Sequence, residues 1–579
     1  MHLARRHALG IASSLLALVV VLPLLRPGYT LVYDMVFVPH LRFSTELLGI
    51  SRSYPRSVPT DLWVAIASIP FGGAIVQKVV LLFIVGGGAF GAGRLTPSER
   101  TLPRLAAAVL YAWNPFVYER LLLGQWAVLL GYALLPWAAS AALAYRRRER
   151  GSGARLVLAM VALTAASPYT GVICGATALA VALFPPSAPP GPGEPSPRPW
   201  LRTAWTLTGV LAVNLVWLVP TMLHASVPGQ AGDAVRLFRA RSDSPVGTIG
   251  SVLSLGGLWR TDLAPPGRAT LVWIPAFLLI AGIAIWGWLG LRERWPSGAR
   301  RGLLTAAVAG VALALAASFP WSRGAVVWLA RTVPGGGFLR DGQKFVIPLA
   351  LAGAIGFGVG VGRVLGAIRS GDRLARALVL VLPLLPIALA PTLAWAAGGK
   401  LRVASYPSSW ARVEQALRAD PAPGAVMTLP WHAYLPFSWN HGQTVHQPAP
   451  RYLSRSVLSA SALELGSATL PPEDPWARLA GRALAEQPPL APRLPMLGVH
   501  WVLLFKEGDW RHDRGLLAGM RPVVNTTDLT LYRSLPAGPM PAFPLPPAGA
   551  VVVGDLLALG ALVGASVVAV RTRRPRQTG

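Results

Sequence analysis

Residues 126–150 read WAVLLGYALLPWAASAALAYRRRER. An uncharged run, 126–145, is followed at once by Arg146, Arg147, Arg148 and Arg150. A helix crosses the hydrocarbon core of a bilayer in about 20 residues, so the run is long enough to span. The arginines after it fit the cytoplasmic end of such a helix, where Lys and Arg are retained.

Outward from this stretch the same pattern recurs. Apolar runs predict helices at about 8–25, 74–93, 104–117, 126–145, 154–168, 171–185, 203–221, 270–291, 303–319, 344–365, 377–396 and 549–570. An even number puts both termini on one side. The basic clusters agree: Arg5 and Arg6; Arg94, Arg100 and Arg104; Arg292, Arg294, Arg300 and Arg301; Arg363, Arg369, Arg373 and Arg376; and Arg571 to Arg576 all fall on the side of Arg146–Arg150. That side is read as the cytoplasm. The first run has no small-residue cleavage site after it and is read as a retained anchor.

Only 13% of residues are charged, against about 25% in soluble proteins. The net charge of +29 does not indicate nucleic acid, because the basic residues lie in short loops between apolar runs. Cys174 is the single cysteine, which excludes an intrachain disulfide and a thiolate metal site. The Arg-, Ala-, Gly- and Pro-rich composition suits a GC-rich coding sequence of actinobacterial type. The stretch 185–200, PPSAPPGPGEPSPRPW from Pro185 onward, reads as a Pro-rich cytoplasmic tether.

The long loops fall on the other side, at 26–73, 222–269 and 320–343, with a larger segment at 397–548. Within the first, Leu62–Phe71 is apolar but too short to span and reads as an interfacial or re-entrant helix. In the last, Ala425–Leu429, His500–Phe505 and Leu529–Tyr532 read as strands, and Trp410–Ala419 and Trp476–Glu486 as helices. The expected fold is therefore mainly α: a polytopic transmembrane helical bundle of about 12 helices over 1–396, a C-terminal extracytoplasmic α/β domain over 397–548, and a final helix with a basic tail over 549–579.

Motifs of soluble enzymes are absent: there is no Walker A loop, GxSxG, HExxH or CxxC, which argues against an ATP-driven pump or a metalloprotease. Candidate chemistry lies at the outer ends of the helices. Asp34, in LVYDMVFVP, is a carboxylate in an apolar segment at the membrane edge. Such a group is costly there and suits a general base; it would equally serve as a loop residue paired with an Arg. Glu119, in NPFVYER, follows Pro115, which should stop or kink its helix and turn Glu119 into an outer cleft as a second acid; an interfacial pair with Arg120 is the alternative. Arg340 and Lys344, in FLRDGQKF after a Gly-rich stretch, suit a phosphate at a helix N-terminus; anchoring the helix, with Asp341 as cap, would explain them as well. Trp431, His432, Tyr434 and Trp439 set aromatic rings beside polar groups, as sugar binding requires, or form a loop covering the cleft. His432, His441 and His446 match no ligand spacing, so no metal site is expected, and a divalent ion is the only cofactor these histidines would admit.

The phrases NPFVYER at 114–120 and LRDGQKF at 339–345, with the ending Val499–Tyr532, resemble segments of actinobacterial arabinofuranosyltransferase-like and YfhO-like membrane proteins. The outline resembles the GT-C superfamily of membrane glycosyltransferases. The resemblance implies transfer of a sugar from a polyprenyl-phosphate donor to a glycan or lipid acceptor of the cell envelope, at the outer face of the cell membrane. It implies that Asp34 is the first-loop acid, and that Arg340, Lys344 and Arg120 bind the donor phosphate. An adjacent acidic pair is the commoner pattern in that loop; this chain has one acid there. A transporter or flippase of lipid-linked glycans, or a non-catalytic envelope-assembly scaffold, are the competing functions. The first predicts charges mid-helix or an internal repeat, and the second predicts dispensable carboxylates.

Overall fold

A computed structural model describes residues 2–185, 199–224, 230–333, 335–368, 372–466, 468–486 and 489–573. Most of the Pro-rich stretch at 185–200 and the end of the basic tail lie outside them. Among the described residues, eight helices are long and apolar enough to cross a membrane. Bent by 79° at Ala390, the pair Arg373–Leu389 and Pro391–Gly398 would make a ninth, and Ser152–Ala166 and Pro168–Leu183 are shorter apolar helices. Large apolar side chains such as Trp205, Ile285, Leu556 and Val563 are exposed on these helices. Such faces suit acyl chains rather than water.

The apolar segment Leu62–Phe71 falls in a helix from Thr60 that is divided at Gly72, whose φ of 72° leaves the helical region, from the helix that runs on to Leu95. Two expectations change. The span expected at 104–117 is two short helices, Thr101–Ala112 and Pro115–Leu122. At about 1.5 Å per residue, neither reaches across a core of about 30 Å. The loop expected at 320–343 contains a helix, Pro320–Thr332, with Trp321 and Trp328 exposed.

Close packing in the bundle depends on small residues. The Ile274–Gly290 and Ile347–Ala367 helices meet so closely that a Cβ on Gly287 would overlap the Gly356 carbonyl. Without a hydrophobic drive between helices in lipid, such near approach supplies the van der Waals contact that holds them.

The C-terminal sheet has five strands in the order Arg521–Asn525, Leu529–Arg533, Val499–Phe505, Ala425–Leu429 and Val457–Leu458. Val499–Phe505 pairs antiparallel with Leu529–Arg533 and parallel with Ala425–Leu429. All seven of its residues are buried, because both faces of the sheet are covered. Trp501, Leu503 and Phe505 pack with Trp410 and Val413 of the Ser408–Ala419 helix. Val502 and Leu504 face the other way, with Trp476 and Ala480 of the Pro475–Ala485 helix. The first loop joins this layer: Leu31 and Val36 enter the Trp410 core, and Tyr29–Thr30 pairs with Val403–Ala404.

Candidate active site

The backbone around Asp34 is clamped from two sides. Tyr33 N–H donates to the Thr444 carbonyl at 2.8 Å, and His446 N–H returns a bond to the Tyr33 carbonyl at 2.9 Å. From the membrane side, the turn after Pro115–Leu122 presses Gly124 onto the loop. Its φ of +69° and missing side chain are both required, since a Cβ there would collide with Val32 and Met35 backbone. The Asp34 carboxylate is exposed, not enclosed in an apolar segment as expected. Its oxygens are held separately: the Tyr434 hydroxyl donates to Oδ1 at 2.6 Å and Gln125 Nε2 to Oδ2 at 3.2 Å.

Asp34 and Tyr434 line a cavity of about 1090 Å³ between the helix ends and the C-terminal layer, and Arg340 and Lys344 line it too. Arg340 lies 3.6 Å from Glu473, which also pairs with Arg56. Burial raises the Glu473 pKa, but Arg56 and Arg340 outweigh it and hold the group below the usual range. Lys344 Nζ is 3.2 Å from Asp341 and sits over the Tyr169 ring at 4.6 Å. Arg56, Gln125, Tyr169 and Glu473 were not singled out in the sequence. The available signal was Arg56 itself, a cation in a loop expected outside, where the positive-inside bias gives it no reason to be.

Arg120 and Glu119 lie beneath the cavity and do not line it. The helix Thr101–Ala112 stops at Trp113, and Asn114 caps the next one, its Oδ1 accepting from Val117 N–H at 3.1 Å with Pro115 in the first turn. The restart turns Glu119 and Arg120 inward, and both are completely buried. Glu119 therefore does not face the cleft as expected. Arg120 forks onto Asp341 at 2.6 and 2.9 Å and donates to Gln343 and Gln125. A continuous chain thus runs from Asp34 through Gln125 and Arg120 to Asp341 and Lys344. Burial, and then the neighbouring Asp243, push the Glu119 pKa well above the usual range despite Arg268 and Arg120. Gln343 Nε2 donates to its Oε2 at 2.9 Å, while Oε1 has no hydrogen-bond partner among the described residues.

Of the four residues expected to bind sugar, Tyr434 alone lines the cavity. Trp439 stacks within the Tyr406, Trp410 and Phe437 cluster, and Trp431 packs beside the Trp476 core. His432 is drawn to Glu464 at 2.9 Å and Asp509 at 3.5 Å. Among the described residues, no group of three or more His, Cys, Asp or Glu side chains could hold a metal ion.

The fold is similar to that of a solved mycobacterial membrane enzyme. The chain superposes on cryo-electron microscopy structures of the arabinofuranosyltransferase AftD from mycobacteria with a TM-score of 0.58 at 17% identity, covering 91% of this chain and 40% of that one. Two classes of a variant of that enzyme give TM-scores of 0.58 and 0.55 at 15% and 14% identity, covering 92% and 91% of this chain and 42% and 41% of theirs. The chain thus spans about two-fifths of AftD's length, and at this identity the likeness is one of fold. No protein-family profile and no curated protein sequence matches the chain.

Proposed function

We propose that the chain is a glycosyltransferase of the cell envelope that takes a sugar from a polyprenyl-phosphate donor and passes it to a glycan or lipid hydroxyl at the outer face of the membrane. The observation that carries this reading is the single cavity in which an oriented carboxylate, Asp34, shares a wall with the cations Arg56, Arg340 and Lys344. The AftD likeness supports the class of reaction.

In this reading the acceptor hydroxyl attacks the anomeric carbon of the donor sugar. Asp34 takes its proton, and the bond from that carbon to the phosphate oxygen breaks. Tyr434 and Gln125 fix the carboxylate with one bond to each oxygen, leaving lone pairs free to accept. The charge that develops on the departing phosphate meets Arg340 and Lys344, cations already in place, so little reorganisation is needed. Arg120 is a positioning residue: buried, it holds Asp341, which holds Lys344, and it orients Gln125 behind Asp34. The cavity then opens to the outer face, 397–548 is extracytoplasmic, and both termini are cytoplasmic. Reporter fusions at Gly151 and Gly442 should give opposite signals; equal signals would refute this sidedness.

The deciding experiment is an in vitro transfer assay with purified protein and a panel of polyprenyl-phosphate sugars. Transfer from at least one donor, lost in Asp34→Asn, is expected. A protein that inserts and folds yet transfers from none of a broad panel would count against the reading.

A further inference from the structure

A second cavity, of about 1200 Å³, lies at the opposite end of the bundle. The helices Trp126–Arg146 and Ile347–Ala367 link the two. Trp126 and Lys344 line the first cavity, Arg147 and Arg363 the second, so the sites are separated by about 30 Å at about 1.5 Å per residue. No step of the proposed transfer uses the second one.

Its lining is unusual in charge. Arg94, Arg100, Arg104, Arg147, Arg294 and Arg363 converge there from three helices and three connections, with Arg155 beside them. The two carboxylates in the wall are Glu99 and Glu149, and Glu149 is already paired with Arg155 at 2.9 Å. Arg294 and Arg363 spend one N–H each on backbone carbonyls. Among the described residues, the guanidiniums of Arg94, Arg100, Arg104 and Arg147 have no hydrogen-bonded or ionic partner, and Arg104 Nε is buried without one. In the first cavity Arg56, Arg340, Lys344 and Arg451 each have a carboxylate, while among the described residues Arg52 and Arg331 do not.

Retention of arginines on the cytoplasmic side explains their presence at this end. It does not explain a concave site, nor a buried Nε left unsatisfied, which costs free energy until an acceptor arrives. Beside Thr96, Ser98 and Ser140, the wall has an apolar part on the Trp126–Arg146 helix, at Pro136, Trp137, Ala141 and Leu143. Phosphate at the level of the arginines and hydrocarbon along the helices is the chemistry of an anionic lipid. Arginine forks match phosphate oxygens better than any other side chain, and basic pockets between spans on the cytoplasmic side suit such headgroups.

We infer that this second cavity binds the phosphate headgroup of an anionic membrane lipid, with the arginines on the phosphate and the tail against the Trp137 wall. A glycerophospholipid and a polyprenyl phosphate share that chemistry. Both would stabilise the protein from a site remote from transfer.

The test uses full-length protein, delipidated in neutral detergent, and titrated separately with phosphatidylglycerol, decaprenyl phosphate, phosphatidylcholine and inorganic phosphate. Bound lipid is counted by native mass spectrometry and stability followed by thermal unfolding. One or both anionic lipids should bind and raise the melting temperature, while phosphatidylcholine should not; which of them does so identifies the source. Arg104→Gln should weaken that binding at least about tenfold, the effect of losing one charge-assisted hydrogen bond. Should Arg104→Gln not fold, Arg94→Gln/Arg100→Gln removes two exposed members instead. Arg373→Gln/Arg376→Gln changes as many exposed arginines at the same end without touching the cavity and should leave binding intact. Equal loss in that control would overturn the site in favour of diffuse surface charge. Unchanged binding in the cavity variants, or equal stabilisation by inorganic phosphate alone, would overturn it as well.

Discussion

Asp34 and Glu119 were both candidate acids, and the structure puts them on two sides of one wall. Asp34 faces the first cavity, with its carboxylate held by Tyr434 and Gln125. Glu119, one helix turn below Gln125's end of the same network, is sealed among Gln343, Asp243 and Arg268. The first is open to the cavity; the second is enclosed by protein. Burial separates the two more than residue type does, because a carboxyl group removed from water holds its proton more tightly.

The largest effect should separate these two. Under the proposed function, Asp34→Asn lowers transfer by about a hundredfold or more, the usual contribution of a general base, with an unchanged melting temperature. Glu119→Gln is nearly isosteric with a protonated acid and should leave both transfer and folding close to wild type. Equal losses in the two variants would break the comparison.

Next in size is the removal of the charge beneath the wall. Arg120→Met leaves Asp341 buried with Lys344 as its remaining partner, so the loss should fall below the about 3–5 kcal/mol of a buried charge left wholly uncompensated. A clear fall in thermal stability is expected, recovered in part by Arg120→Met/Asp341→Leu. Arg340→Ala should act differently, because Arg340 faces the cavity: donor KM rises, with a smaller change in kcat. If Arg340→Ala instead lowers kcat alone, its cation acts on the leaving group rather than on donor binding.

A pH effect follows from Glu473. Its folded pKa is depressed, so its contribution to stability is present above the ordinary Glu value of about 4.3 and is lost as pH falls through the lower folded value. The Arg56–Glu473–Arg340 cluster should therefore persist through pH 5 and fail only in stronger acid. Glu473→Gln should remove this acid-side drop in the unfolding curve. An identical acid profile in the variant would dissociate the cluster from stability.

The long spans were legible because twenty apolar residues followed by arginines have one physical solution. The strands were legible from runs such as HWVLLF at 500–505, buried on both sides. The Thr101–Ala112 break was half legible: Asn114-Pro115 announced an interruption, but not that the restart would turn Glu119 inward. That depends on Asp243, Arg268 and Gln343, which lie 124, 149 and 224 residues away in sequence. The cation cluster was missed for the same reason, since Arg56 and Glu473 meet only through the fold. LRDGQKF showed two cations near a helix start; it could not show that Asp341 serves Arg120 as well as Lys344.

The same division, open to the cavity against held by protein, separates Tyr434 from His432, and here the smallest effect is expected. Tyr434 lines the cavity and donates to Asp34, whereas His432 lies outside the lining, between Glu464 and Asp509. Burial alone would lower the His432 pKa, but those two carboxylates outweigh it and raise it above the usual 6.5. A raised folded pKa contributes stability that is fully present below the unfolded value and is lost as pH rises through the folded one. His432 is one-third exposed, so solvent screening keeps the ion pair below about 1 kcal/mol. His432→Gln should thus be slightly less stable than wild type at pH 6 and indistinguishable from it in alkaline buffer, with transfer unaffected at either pH. Tyr434→Phe, which removes the hydroxyl that orients Asp34, should reduce kcat at both pH values without loss of stability. If His432→Gln instead raised acceptor KM in alkaline buffer, where its charge is gone, the imidazole would be contacting the acceptor, and the division between the two residues would fail.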